Sequence, residues 1–195
     1  MSFLDKPLLT GAKTVLRPFT EADARTVWEI LQDPEVLRFT SEPSSDDLTF
    51  EHVRSWYATR ADQPDRLDLA VTDRASGELV GEVVLNEWDP HNRSCNFRTL
   101  IGPQGRNRGL GTEAIRLIVG HGFEHLGLHR VSLEVYAHNA RARRAYEKVG
   151  FRQEGIRREV SLREGKWVDQ ILMAILEGEW ARHRGWAESA DQGRA

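Results

Sequence analysis

The chain carries one cysteine, Cys95, in 195 residues. A lone thiol excludes an internal disulfide framework and fits a reducing compartment, so a cytoplasmic location is expected. No apolar run approaches the ~20 residues that a membrane-spanning helix needs. The opening segment, Met1 to Leu9, is short and interrupted by Asp5, Lys6 and Pro7, which argues against a signal peptide. An excess of positive charge is also missing: 27 Lys and Arg stand against 30 Asp and Glu, a net charge of −3 with the signs mixed. That argues against a general nucleic-acid binder. Internal repeats and low-complexity tracts are absent as well. What remains is a globular composition, 39% hydrophobic and 29% charged, long enough to bury a full core. One domain over 1–176 and a tail over 177–195 are expected.

The densest signal is Gln104-Gly105-Arg106-Asn107-Arg108-Gly109-Leu110-Gly111-Thr112-Glu113. The extended pair Leu100-Ile101 leads into it and the helical pattern from Ala114 to Val119 leads out. Glycine lets a backbone approach a ligand closely. The first turn of a helix offers N–H groups without intrahelical partners and a partial positive charge. A glycine loop that opens a helix therefore suits phosphate, and Arg106 and Arg108 add full charges there.

Two patterns fit this stretch. Gly109-Leu110-Gly111-Thr112-Glu113-Ala114 satisfies G-x-G-x-x-G/A, the dinucleotide fingerprint, with Glu134 downstream as a ribose-binding acid. Such a fingerprint follows the first strand of a βαβ unit directly, whereas Gly102 to Arg108 intervene here. Arg106-Asn107-Arg108-Gly109-Leu110-Gly111 also satisfies [Gln/Arg]-x-x-G-x-[Gly/Ala], which resembles the acetyl-CoA pyrophosphate loop of the GNAT superfamily of N-acetyltransferases. A glycine-rich helix entry with no ligand is the bland third reading.

Around this stretch the hydrophobic pattern alternates between periods. Thr14 to Phe19 reads as a short strand, with Pro18 at its end. Thr20 and Asp23 form a capping box for a helix striped by Ala24, Val27, Trp28 and Leu31. Asp33-Pro34 is expected to end it, and Arg38 to Ser45 to be a loop. A second helix is expected from about Asp46 to Arg60. Strands follow at Leu67–Val71, Glu78–Trp88 and Ser94–Ile101, joined by tight turns. The glycine loop then opens a helix from Gly111 to about Leu126, stopped by Gly127. Arg130 to Tyr136 is a strand. Asn139 caps a helix that Gly150 closes, and Phe151 starts another strand. A hairpin of Val160–Leu162 with Trp167–Leu176 ends the domain. The fold class is α/β, with a central, mostly antiparallel sheet of about six to seven strands and helices on both faces.

A second block adds specificity. Asn139-Ala140-Arg141-Ala142-Arg143-Arg144-Ala145-Tyr146-Glu147-Lys148-Val149-Gly150-Phe151 resembles the GNAT pattern N-x-x-[AS]-x-x-x-Y-x-K-x-G-F, and Leu133-Glu134-Val135 resembles the strand before it. Asn139 and Tyr146 lie two helical turns apart, on one face. Leu16-Arg17-Pro18-Phe19 and Gly165-Lys166-Trp167-Val168-Asp169 are similar to the RimJ/RimL-type branch. In RimL-like members a serine is common where Ala142 stands, and the later tyrosine is absent. Tyr146 with Glu134 instead resembles the RimI-like arrangement.

The resemblance implies a GNAT fold and direct attack of an amine on acetyl-CoA. It implies that Arg106, Asn107, Arg108, Gly109, Leu110, Gly111 and Thr112 meet the pyrophosphate, and that Leu100 and Ile101 border the thioester. Asn139 would contact the pantetheine arm, and Arg144 a phosphate. Tyr146 would protonate the leaving thiolate. Glu134 would be the general base, with Asp169 and Glu82 in reserve. The expected acceptor is a primary amine, either the N-terminal α-amine of a peptide or a small molecule. A lysine-type amine is only ~0.1% neutral near pH 7.4 and an α-amine roughly 20–30%, which favours the α-amine where one carboxylate must serve. A homodimer is compatible with this reading. Two other functions fit parts of the sequence: an acyl-CoA-binding module without catalysis, and an NAD(P)-dependent oxidoreductase. His121-Gly122-Phe123-Glu124-His125 spells a zinc motif, H-x-x-E-H, but it lies at the far end of the cofactor helix, and no metal is expected.

Overall fold

The computed structural model describes residues 3–40, 49–163 and 165–182. Its core is an eight-stranded sheet. In chain order the strands are β1 (Leu9–Thr10), β2 (Thr14–Pro18), β3 (Leu67–Asp73), β4 (Leu79–Asp89), β5 (Ser94–Ile101), β6 (Arg130–Tyr136), β7 (Arg152–Arg163) and β8 (Lys166–Leu176). In space the order is β1-β2-β3-β4-β5-β6-β8-β7. The count exceeds the expected six to seven. The two-residue β1 is too short to give a period-two pattern. β7 is one long strand where two pieces were expected, because its register shifts between Gln153/Gly155 and Arg157/Ser161 blur the alternation.

The helices are α1 (Ala24–Leu31), α2 (Pro34–Thr40), α3 (Phe50–Ala58), α4 (Leu110–Glu124) and α5 (Ala140–Val149). Pro34 does not end the helical region. It opens α2, because proline suits a first helical turn whose N–H is unpaired anyway. The Asp33 side chain caps it by accepting from the Val36 N–H at 3.0 Å. The expected loop is therefore helical at 38–40. The expected start of α3 near Asp46 lies outside the described residues. Thr49 caps α3, accepting from the His52 N–H at 3.2 Å.

Each face of the sheet carries its own apolar layer. On one, Leu110, Ile115, Ile118 and Val119 of α4 and Tyr146 and Val149 of α5 pack on Leu69, Val83, Leu85 and Phe97. On the other, Val27 and Ile30 of α1, Val36 of α2 and Val53 and Tyr57 of α3 pack on Ala70, Leu79 and Leu100. Each fully buried aliphatic or aromatic side chain contributes about 1.5–3 kcal/mol, so both layers are needed. A short helix over 177–182 follows β8. Its Trp180 is 6% exposed, covers Gly120 of α4 and donates from Nε1 to Glu124 at 2.9 Å. Packing onto the core thus continues past Leu176.

One feature of the sheet positions the site. β5 and β6 run parallel, but they pair only through Ser94↔Arg130, Cys95↔Val131 and Asn96↔Ser132. Beyond Asn96, β5 stays with β4 and β6 stays with β8. The two strands splay apart, and alternate residues of Phe97–Ile101 turn backbone polar groups into the gap. Every other strand pairing among the described residues is antiparallel.

Candidate active site

A cleft of about 970 Å³ starts in that gap. The glycine loop forms one end. A single 3-10 turn, Pro103–Gly105, leads from β5. Asn107 (φ 59°) and Gly109 (φ 83°) are then left-handed, and this turns the chain into α4. The backbone N–H groups of Asn107, Arg108, Gly109, Leu110, Gly111 and Thr112 have no acceptor among the described residues. They form a contiguous donor run at a helix N-terminus, where the dipole also favours an anion. Gly111 keeps the path narrow: a Cβ there would lie 3.2 Å from Ile101 Cγ1.

The two loop arginines are both ion-paired. Arg106 pairs with Asp33 at 2.5 Å and Glu35 at 3.1 Å and donates to the Ile101 carbonyl at 3.3 Å. The Arg106 guanidinium in turn holds the Asp33 carboxyl below its ordinary value. Arg108 pairs with Asp73 at 2.5 Å and donates to the Gln104 carbonyl at 3.1 Å. These side chains fix the loop to α2 and to the end of β3. Both arginine side chains expected at a phosphate are thus already paired with carboxylates, whereas the backbone N–H groups of the loop are not. Leu110 is 2% exposed, its side chain lies in the core, and it does not border the cleft. Lys13 is a cation that motif reading missed, because it is remote in sequence. Its Nζ lies 3.5 Å from the Arg108 carbonyl.

The other wall comes from β6 and α5. Asn139 caps α5 as expected, its side-chain oxygen accepting from the Ala142 N–H at 3.1 Å. Its amide nitrogen has no partner among the described residues and borders the cleft. The cap therefore leaves the amide nitrogen available to a ligand. Tyr146 is 7% exposed, with its ring edge-on to Phe97 at 6.1 Å. Its hydroxyl makes none of the hydrogen bonds found among the described residues, and burial raises its pKa, so it stays protonated. Arg144 and Lys148 border the cleft without an ion pair among the described residues. Arg141 is instead paired with Glu35. Glu35 therefore bridges α5 and the glycine loop through Arg141 and Arg106.

The carboxylates divide sharply. Glu134 borders the cleft but accepts from Arg157 at 2.6 Å, with the two side chains 41% and 55% exposed. Asp169 accepts from the Glu159 N–H at 2.9 Å and does not border the cleft. Glu82 projects from β4 opposite Leu100, at the point of the splay. Tyr57 of α3 donates to it at 2.6 Å, and it keeps some surface open to the cleft. Burial pushes its carboxyl above the ordinary range, and the Tyr57 bond only partly opposes this. Arg98, also on the cleft, has neither a hydrogen bond nor an ion pair among the described residues. Sequence reading gave Glu82 no priority, since its partner Tyr57 lies 25 residues away and outside any motif.

This topology removes the dinucleotide reading. The glycine loop follows the fifth strand of a mostly antiparallel sheet, not the first strand of a parallel one. Splayed strands, a free donor run and the Asn139/Tyr146 helix instead border one cleft. Residues 13–152 match the family model described as Acetyltransferase (GNAT) domain, and the chain belongs to that family. The chain is similar to the spermidine N(1)-acetyltransferase of Escherichia coli (strain K12), 29% identical over 176 residues that cover 87% of this chain and 89% of that protein. It is also similar to the L-amino acid N-acetyltransferase AaaT of the same strain, 27% identical over 169 residues covering 85% and 99%. The solved spermidine N-acetyltransferase from Vibrio cholerae, in complex with CoA and spermine, shares its fold with a TM-score of 0.78, at 24% identity over 88% of this chain and 99% of that one. The protein is thus an N-acetyltransferase, an acyltransferase enzyme that uses acetyl-CoA and acts on an amine.

Proposed function

We propose that this enzyme moves the acetyl group of acetyl-CoA directly to a small primary amine, with no covalent enzyme intermediate. The observation that carries the reading is the cleft formed where β5 and β6 part, with the free N–H run from Asn107 to Thr112 at one end and Glu82 in its lining. The N–H run and Arg144 bind the pyrophosphate. The Asn139 amide nitrogen hydrogen-bonds the pantetheine arm. A backbone N–H near Leu100-Ile101 receives the thioester oxygen as charge grows there.

Two proton transfers complete the reaction. As the amine nitrogen bonds to the carbonyl carbon and the carbon–sulfur bond breaks, a carboxylate takes a proton from nitrogen and Tyr146 gives one to sulfur. Glu134 can serve as the base only by releasing Arg157, an exposed pair worth about 0–1 kcal/mol. Glu82 makes no ion pair among the described residues and has a raised pKa, which makes it the stronger base. Relatives are named for acetylating spermidine and L-amino acids, so the acceptor is sought first among polyamines and α-amines.

The test is thiol release from acetyl-CoA across a panel of polyamines, amino acids and peptide N-termini, with the product identified by mass. One free thiol per acetylated amine is expected. Binding of acetyl-CoA with no release for any amine would instead support a module that binds without catalysis.

A further inference from the structure

The acceptor end of the cleft contains one more charged group than acetyl transfer to a simple amine requires. Glu82 and Arg98 stand on neighbouring strands. Glu82 faces Leu100 across the β4–β5 ladder, and Arg98 lies two residues before Leu100, so the two side chains leave the same face of the sheet as diagonal neighbours. Such positions are about 7–8 Å apart at the backbone, within easy reach for two long side chains. Yet no ion pair joins them among the described residues. Glu82 is held back by Tyr57 at 2.6 Å, and Arg98 remains exposed on the cleft. Two other arginines bordering this cleft are neutralised, Arg106 by Asp33 and Glu35, and Arg141 by Glu35, while Arg144, on α5, belongs to the opposite wall. A carboxylate and a guanidinium kept side by side but apart are complementary to a ligand that carries both charges.

Resting on the acetyl-transfer reading above, we infer that the acceptor is an amine bearing its own carboxylate, an α-amino acid or a close analogue, with Glu82 receiving the amino group and Arg98 the carboxylate. The planar guanidinium fits a carboxylate through two parallel hydrogen bonds. The same charge repels the second cation of a polyamine, so Arg98 selects between acceptors as much as it attracts one. In this assignment Glu82 is the catalytic base and Arg98 sets specificity.

The experiment compares wild type with Arg98→Gln at saturating acetyl-CoA. L-Amino acids, their C-terminal amides and 1,3-diaminopropane serve as acceptors. Taking the wild-type to variant ratio of kcat/KM for each acceptor cancels the amine's own basicity. The loss for the acids is expected to exceed the loss for the amides by about tenfold or more, through KM, with Arg98→Lys recovering part of it. A melting shift with acetyl-CoA shows that each variant is folded and loaded. Equal losses for acids and amides overturn the assignment. So does a wild-type enzyme that acetylates the diamine and no amino acid, a result that leaves acetyl transfer itself intact. Turnover absent with every amine removes the acetyl-transfer reading and this assignment together.

Discussion

Glu82→Gln separates the two carboxylates that border the cleft. The change removes charge and basicity but keeps the volume and leaves an amide oxygen to accept from Tyr57, now at 2.6 Å. Burial raises the Tyr57 pKa, so it remains a donor throughout the assay range. A positioned general base contributes about 10²–10⁴-fold, and kcat should fall by that factor while acetyl-CoA affinity stays the same. Glu134→Gln removes an exposed carboxylate already paired with Arg157, and should change kcat by no more than about threefold. The pH profile is a second readout. Burial lifts the Glu82 pKa and the Asp68 charge on β3 adds to it, and together they outweigh Tyr57 from α3, Arg98 from β5 and Arg66 beside β3. The base works only when ionised, so wild-type turnover should fall as pH drops through that raised value, and Glu82→Gln should lack this limb. Stability runs the opposite way. For a carboxyl whose folded pKa is raised, the stabilising proton is fully present below the unfolded value and is lost as pH rises through the folded one. At neutral pH the variant should therefore melt no lower than wild type. Thiol release across pH, with melting curves, supplies both readouts. A variant within about threefold of wild type, or a fall seen in Glu134→Gln instead, would refute the assignment.

Tyr146→Phe retains the ring packed against Phe97 and Phe151 and deletes the hydroxyl. It should lower kcat by about 10²-fold with little change in KM for acetyl-CoA, measured by the same assay. Glu113→Ala tests how the glycine helix is anchored. Its carboxylate accepts from the backbone N–H groups of Ala12, Lys13 and Thr14 at 2.9, 2.8 and 2.7 Å and from the Thr14 hydroxyl at 2.7 Å. Losing them should cost about 2–4 kcal/mol, roughly 5–15 °C in Tm. Burial opposes the Glu113 charge, but these bonds outweigh it and hold the carboxyl below its usual range. Their contribution is present above the unfolded pKa and is lost as pH falls through the folded one, so wild type and Glu113→Ala should converge in acid melts.

Local chemistry was legible in the sequence wherever a residue's role is settled by its near neighbours. Asn139 and Gly150 bracket α5 because one supplies a cap acceptor and the other tolerates φ 113°. Arg130–Tyr136 was legible as a strand from its alternation, and the glycine loop from its opening of α4. Distant partners were not. Arg106 finds Asp33 at 73 residues' separation and Arg108 finds Asp73 at 35, so these ion pairs were invisible along the chain. Pro34 was ambiguous by nature, since the residue that cannot continue one helix readily starts the next. The weight given to Glu134 came from its place in a motif. Arg157, which engages it, is 23 residues on, across the intervening β8.

The central claim is that the N–H run from Asn107 to Thr112 and the gap between β5 and β6 hold acetyl-CoA. Thermal denaturation with acetyl-CoA, CoA and NAD side by side tests it most directly. At about 100-fold excess over Kd a bound ligand stabilises by about 2.7 kcal/mol, roughly 5–10 °C for a chain of this size. The account predicts that shift with acetyl-CoA and CoA and none with NAD. No shift with acetyl-CoA, or a shift with NAD alone, would contradict it.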